Sequence, residues 1–197
     1  MNDHVRNLII IRTGAETRKG TVTRWAKVTL KKLAKIIDEC VHLGRILVIS
    51  GPDKAGVMSS EIIRNELERL DALGKNPILN FKVLSEENEF LGKDYDFRGD
   101  DDEDEAYQFR HHLSKQIVDL VGKRSVEQFL ETVILVTHSF QALVVQERYA
   151  HIILGDDARH SHGGVAPGSG IWMHKLRTTA MTVPLHDKLH CQYLKAR

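Results

Sequence analysis

Leu8, Ile9, Ile10 and Ile11 are four consecutive large apolar residues, and the chain turns abruptly after them at Arg12-Thr13-Gly14. A continuous apolar run this short reads as a strand buried on both faces, the form that parallel strands take when helices cover the sheet on either side. Comparable strand-sized runs recur at Arg45–Ser50 and Thr132–Thr137, and a partly alternating one at Ile78–Leu84. Between the first two, Leu30, Leu33, Ile37, Cys40 and Val41 repeat at helical spacing, with Gly44 as a stop. Between the second and third, Ile62, Ile63, Leu67, Leu70 and Leu73 do the same in a helix expected to begin near Ser59. Strand, helix, strand, helix, strand predicts parallel pairing through right-handed crossovers. An arginine at the carboxyl end of such a strand stands where open α/β sheets bind ligands, and its guanidinium can fork onto phosphate or carboxylate.

Further along, Asp100–Glu105 is a run of six acidic residues. Placed just before the next helix, it would meet that helix's positive end favourably. That helix carries Tyr107, Leu113, Ile117, Leu120 and Val121, with Gly122 as a candidate break. Phe140–Ile153 reads as another helix, Asp156–Gly170 as a loop, and Ile171–Leu176 as an edge strand. With 197 residues, 42% hydrophobic and 28% charged, residues 1–197 are expected to form one domain with a proper core. The sum is a three-layer α/β sandwich, a mostly parallel sheet with helices on both faces.

A net charge of +1 gives no general reason to expect nucleic-acid binding, so any anion site must be local. The apolar runs are strand-sized and no leader pattern opens the chain, so neither a membrane span nor a signal peptide is expected. Cys40 and Cys191 lie far apart without metal-type spacing, which fits a reducing compartment; the expected location is cytoplasmic.

Two strand ends carry the chemistry. Arg12-Thr13-Gly14, with Glu16 after it, resembles the Arg-His-Gly signature of the histidine phosphatase (phosphoglycerate mutase-like) superfamily. Val133–Ser139, in which Thr137 precedes His138, resembles that family's later strand ending in a hydroxyl residue and histidine. Leu84-Ser85-Glu86 is similar to its Leu-x-Glu, and His186-Asp187-Lys188-Leu189-His190 to its Asn-Asp-x-x-His-Leu tail. The resemblance implies a phosphoglycerate mutase-like fold, a phosphoryl pocket held by Arg12 and His138, and Glu86 as the acid that protonates the leaving oxygen.

The departures from the family pattern are as informative. The family's nucleophilic histidine is here Thr13, whose hydroxyl has no lone-pair reactivity comparable to that of neutral imidazole near pH 7 unless a base lies beside it. The family's Ser-x-Pro-x-x-Arg-Ala pattern reads Ser50-Gly51-Pro52-Asp53-Lys54-Ala55-Gly56, so Ala55 stands where the second arginine belongs. Lys54 is one residue away and can act as a point charge, not as a fork. Two independent losses predict a catalytically impaired relative that keeps a weakened phosphate pocket and binds a phosphorylated small molecule or phosphoprotein. The alternative is a weakly active phosphomonoesterase in which Thr13 is an inefficient nucleophile. Nothing in the pattern fixes an oligomeric state.

Two further classes have partial motif support. Strand 46–50 followed by Gly51-x-x-x-x-Gly56 is similar to the phosphate loop of nucleotide kinases, but Val57 and Met58 stand where Lys and Ser or Thr are required. His160 and His162, His186 and His190, and His111-His112 offer imidazoles at usable spacings. No cysteine or carboxylate pattern completes a ligand set, so neither a metal nor another cofactor is expected.

Overall fold

Each apolar run needs cover on both faces, and the chain supplies it with two pairs of helices. The computed structural model describes residues 5–41, 44–73, 84–92, 103–148, 165–176 and 179–185. Its elements are β1 (Asn7–Arg12), α1 (Arg24–Cys40), β2 (Ile46–Ser50), α2 (Lys54–Leu73), β3 (Leu84–Glu87), a 3-10 turn (Glu89–Leu91), α3 (Glu103–Gln128), β4 (Thr132–Thr137), α4 (Ser139–Arg148), β5 (Gly170–Leu176) and β6 (Thr179–Pro184). The strands form one sheet in the order β3-β2-β4-β1-β5-β6. Pairings β3/β2, β2/β4 and β4/β1 are parallel, and β1/β5 and β5/β6 antiparallel. The mostly parallel three-layer expectation holds. Among the described residues, no helix is long and apolar enough to cross a membrane.

Alternate residues of the central strands feed two cores. Ile9, Ile11, Val48, Ile134 and Val136 pack with Leu30, Ile37 and Ile63 of α1 and α2. Leu8, Ile10, Leu47, Ile49, Val133 and Leu135 pack with Leu113, Ile117, Ala142 and Val145 of α3 and α4. Burying such a side chain is worth about 1.5–3 kcal/mol relative to leaving it exposed, which is why the continuous runs choose the sheet's centre. The parallel pairing puts the carboxyl ends of β1, β4 and β2 side by side. In register, Arg12 pairs with Thr137 and Ser50 with Val136.

Four expectations are corrected. The strand at Ile171–Leu176 is not an edge: β5 lies between β1 and β6, and β6 takes the edge. The short polar-interrupted sequence of β6, Thr-Ala-Met-Thr-Val-Pro, has little strand pattern of its own, and pairing with β5 supplies what the pattern lacks. Helix α2 begins at Lys54, not near Ser59, because the Asp53 carboxylate caps it by accepting from the Gly56 N–H at 2.9 Å. Helix α3 runs unbroken through Gly122, a residue whose cost of about 1 kcal/mol in a helix is outweighed by burial of Leu113, Ile117 and Val121. Glu103, Asp104 and Glu105 lie within that helix's first turn rather than ahead of it. The third strand is described over Leu84–Glu87, so Glu86 belongs to β3; residues 78–83 lie outside the described residues, as do 149–164 and the tail containing His186 and His190.

Candidate functional site

Three loops meet at the carboxyl ends of the parallel strands, and each is fixed by specific bonds. After β1, Thr13 N–H donates to the Thr137 carbonyl at 2.9 Å, and Gly14 N–H to the buried Ser59 hydroxyl at 3.1 Å. Gly14 is held so close to α1 that a Cβ there would lie 2.8 Å from Val22 Cγ1 and 2.9 Å from Ala26 Cβ. The chain then makes a small hairpin: Glu16 bridges Val22, Thr17 N–H donates to the Thr21 carbonyl at 2.7 Å, and Gly20 adopts φ +72°. Glu16 is thereby presented back toward the strand ends.

After β2, Pro52 and Asp53 lead directly into α2. Asp53 does two things at once: Oδ1 caps the Gly56 N–H, and Oδ2 lies 3.0 Å from His138 Nε2. After β4, Thr137 donates its hydroxyl to the Leu91 carbonyl at 2.9 Å and the buried Gln141 amide donates to the Gly92 carbonyl at 2.8 Å, so His138 leaves an anchored strand end.

His138 therefore stands between carboxylates. Its Nε2 faces Asp53, and its Nδ1 faces the Thr13 hydroxyl at 3.4 Å and Glu16 Oε1 at 4.0 Å. The His138 side chain is 12% exposed, and those of Asp53 and Glu16 are 21% and 22% exposed. The electrostatic setting is thus more acidic than an anion pocket calls for, with two carboxylates on one imidazole. If Nε2–H donates to Asp53, the Nδ1 lone pair is left to accept the Thr13 hydroxyl proton, a hydroxyl–imidazole–carboxylate chain.

The sequence-expected residues are distributed unevenly. Thr13 and His138 are brought together. Arg12 ends the strand beside β4, but its guanidinium donates to the Val165 carbonyl at 3.0 Å, on the side of the α3/α4 core that includes Val165. The 165–169 segment is tied to the same place, with Gly168 N–H shared between the Arg12 and Thr13 carbonyls at 3.1 Å each. Lys54 is exposed at the first residue of α2.

Glu86 is separated from β1 by β2 and β4 in the sheet order, and forms a bidentate ion pair with Arg124 of α3, at 2.6 and 2.8 Å. Hydrogen bonding to Glu86, and then to Glu127, holds Arg124 firmly in its charged form by raising its pKa. Glu86 also borders an open cleft of about 210 Å³ lined by Ser50, Val57, Ser60, Arg64 and Ser85.

Ala55, which the sequence resemblance sets in place of a second arginine, is 1% exposed and packs in the α1/α2 core. The phosphate-loop likeness at 51–56 lacks its cradle, since the Gly56 N–H that would face a phosphate is taken by Asp53. Asp53 carries no role in the sequence motifs, and Glu16, though it follows the first motif, has no site role assigned by it; both join the site here. The signal for Asp53 was a helix N-cap aspartate three residues before Gly56, directly after a strand end.

The fold has clear relatives among solved structures. The chain is similar to the alpha-ribazole phosphatase from Shigella flexneri with a TM-score of 0.53 and 13% identity, covering 92% of this chain and 96% of that one. It is similar to a mycobacterial glucosyl-3-phosphoglycerate phosphatase in complex with VO3 with a TM-score of 0.54 and 11% identity over 91% and 98% of the two chains. It is also similar to YhfR from Bacillus stearothermophilus, with a TM-score of 0.51 and 17% identity over 90% and 95%. By sequence, no protein-family model and no curated protein matches the chain. The likenesses establish the histidine phosphatase, phosphoglycerate mutase-like, fold.

Proposed function

We propose that this is a histidine-phosphatase-like protein without the phosphatase reaction, whose strand-end pocket binds an anionic ligand weakly and serves a binding or regulatory role. The observation that carries this reading is the 3.0 Å contact between Asp53 and His138, beside Thr13 at the nucleophile's position. An imidazole nitrogen bonded to a carboxylate is engaged by that carboxylate first, and an incoming phosphate meets repulsion from Asp53 and Glu16. In this reading Arg12, whose guanidinium has N–H donors beyond the one given to the Val165 carbonyl, and His138 contact a phosphoryl oxygen, with Lys54 contributing at longer range. The ligand class is a phosphorylated small molecule or a phosphoprotein.

The test is a calorimetric titration with inorganic phosphate and with phosphoserine. Weak saturable binding that is lost in Arg12→Ala supports the reading; no binding by the wild type, or binding indifferent to Arg12→Ala, overturns it.

A second reading has its own support. Thr13 Oγ1 lies 3.4 Å from His138 Nδ1 while Asp53 engages the other ring nitrogen, the ordering by which a base activates a hydroxyl. Slow phosphomonoester hydrolysis through Thr13 would follow, and it would disappear in Thr13→Ala. Activity unchanged in Thr13→Ala rules this second reading out.

A further inference from the structure

The same cluster has a property that a phosphate pocket does not need. One donor atom from each of Glu16, Asp53 and His138 lies within 4.8 Å of the other two. The three come from three separate loops at the carboxyl ends of β1, β2 and β4, so no single turn of chain forces them together. Two carboxylates gathered around one imidazole carry a formal charge of −2, which a divalent cation neutralises.

We infer that Glu16, Asp53 and His138 form a binding site for a divalent transition-metal ion of the zinc or manganese class. A mixed set of one nitrogen and two oxygens suits these ions, whereas calcium and magnesium prefer all-oxygen shells. Metal–ligand bonds of about 2.0–2.2 Å place ligand atoms roughly 3.0–3.5 Å apart, so a set already within 4.8 Å closes by at most about 2 Å per pair, within the range of side-chain rotation. Thr13, at 3.4 Å from His138 Nδ1, is an outer partner able to orient the ring. Three protein ligands leave coordination positions for water or a ligand oxygen, as in open rather than purely structural sites. The ion would reverse the sign of a pocket that is otherwise acidic. This goes beyond the phosphate reading, and the two fail separately: metal titration without phosphate tests this one, and phosphate titration without metal tests the other.

The experiment is a calorimetric titration of full-length, chelator-treated protein with Zn²⁺ and with Mn²⁺ alone, repeated on Glu16→Gln and Asp53→Asn. Asparagine caps a helix as well as aspartate does, so Asp53→Asn removes a ligand charge and keeps the start of α2. The expected result is one ion per chain, with affinity reduced about tenfold or more in each variant. X-ray absorption on the zinc-loaded wild type should show a single imidazole among oxygen ligands, and this reading needs no variant to fold. Absence of saturable binding overturns the inference. So does binding that survives both substitutions, binding abolished by replacing His160 and His162, or an absorption spectrum showing two or more imidazoles.

Discussion

Asp53 joins His138 to the start of α2: one carboxylate oxygen lies 3.0 Å from the imidazole Nε2 and the other accepts the Gly56 N–H at 2.9 Å. The residue that begins a helix is therefore the one that occupies the histidine. Removing its charge and removing its hydrogen bonds should have separable effects, because asparagine keeps the cap and alanine does not.

Asp53→Ala should lower stability by about 0.5–2 kcal/mol through loss of the cap, while Asp53→Asn should melt close to wild type. The measurement is a pair of chemical denaturation curves. In phosphate titrations without metal, Asp53→Asn should bind about tenfold more tightly than wild type, since a unit charge some 4 Å away is worth about 1–4 kcal/mol between water and a protein surface.

The Glu86–Arg124 pair ties β3 to α3, 38 residues apart in sequence. With side chains 22% and 29% exposed, the pair is worth about 1 kcal/mol or less. Glu86→Gln should show that loss in denaturation and leave phosphate binding unchanged. A change in binding without a change in stability would instead return Glu86 to the site.

Glu66 of α2 is 6% exposed and accepts two bonds from Arg69, at 2.6 and 3.1 Å. Hydrogen bonding to Arg69 lowers its pKa from an ordinary value of 4.5. A carboxyl lowered in the folded state contributes stability that is fully present above that value and is lost as pH falls through the lower folded one. Wild type should therefore lose stability on acidification below about 4.5 more steeply than Glu66→Gln, which lacks this titration. Melting temperatures between pH 3 and 6 give the comparison.

Gly14 has no room for a methyl group, with Val22 and Ala26 within 2.9 Å of the Cβ position. Gly14→Ala should cost about 1–3 kcal/mol by forcing the loop carrying Thr13 away from α1. Denaturation measures the cost directly, and a neutral substitution would show that α1 yields more easily than its packing implies.

Much of this architecture was legible because continuous apolar runs can be satisfied only between two helix layers: β1, β2 and β4 fall where Leu8–Ile11, Arg45–Ser50 and Thr132–Thr137 predict them. Strand β6 was not legible, since its partner β5 and not its own composition makes it a strand. The Thr13–His138 meeting followed from two separated motifs, whereas Glu16 and Asp53 join them through a hairpin and a helix cap, local devices that look alike wherever they occur. Glu86 shows the opposite limit: its pairing with Arg124 depends on where α3 crosses the sheet, which spacing along the chain does not encode. Ala55 belongs to the core, so an arginine restored there would have to displace packed side chains and not simply reach into the pocket.

The most direct test of the central claim is the rate of phosphate release from a general phosphomonoester by the purified wild-type protein. If Thr13 stands in the nucleophile's place, as proposed, with Asp53 engaging His138, release should stay far below one turnover per second. A rate in the ordinary enzyme range of about 1–1000 per second would contradict the claim that this fold has lost its reaction.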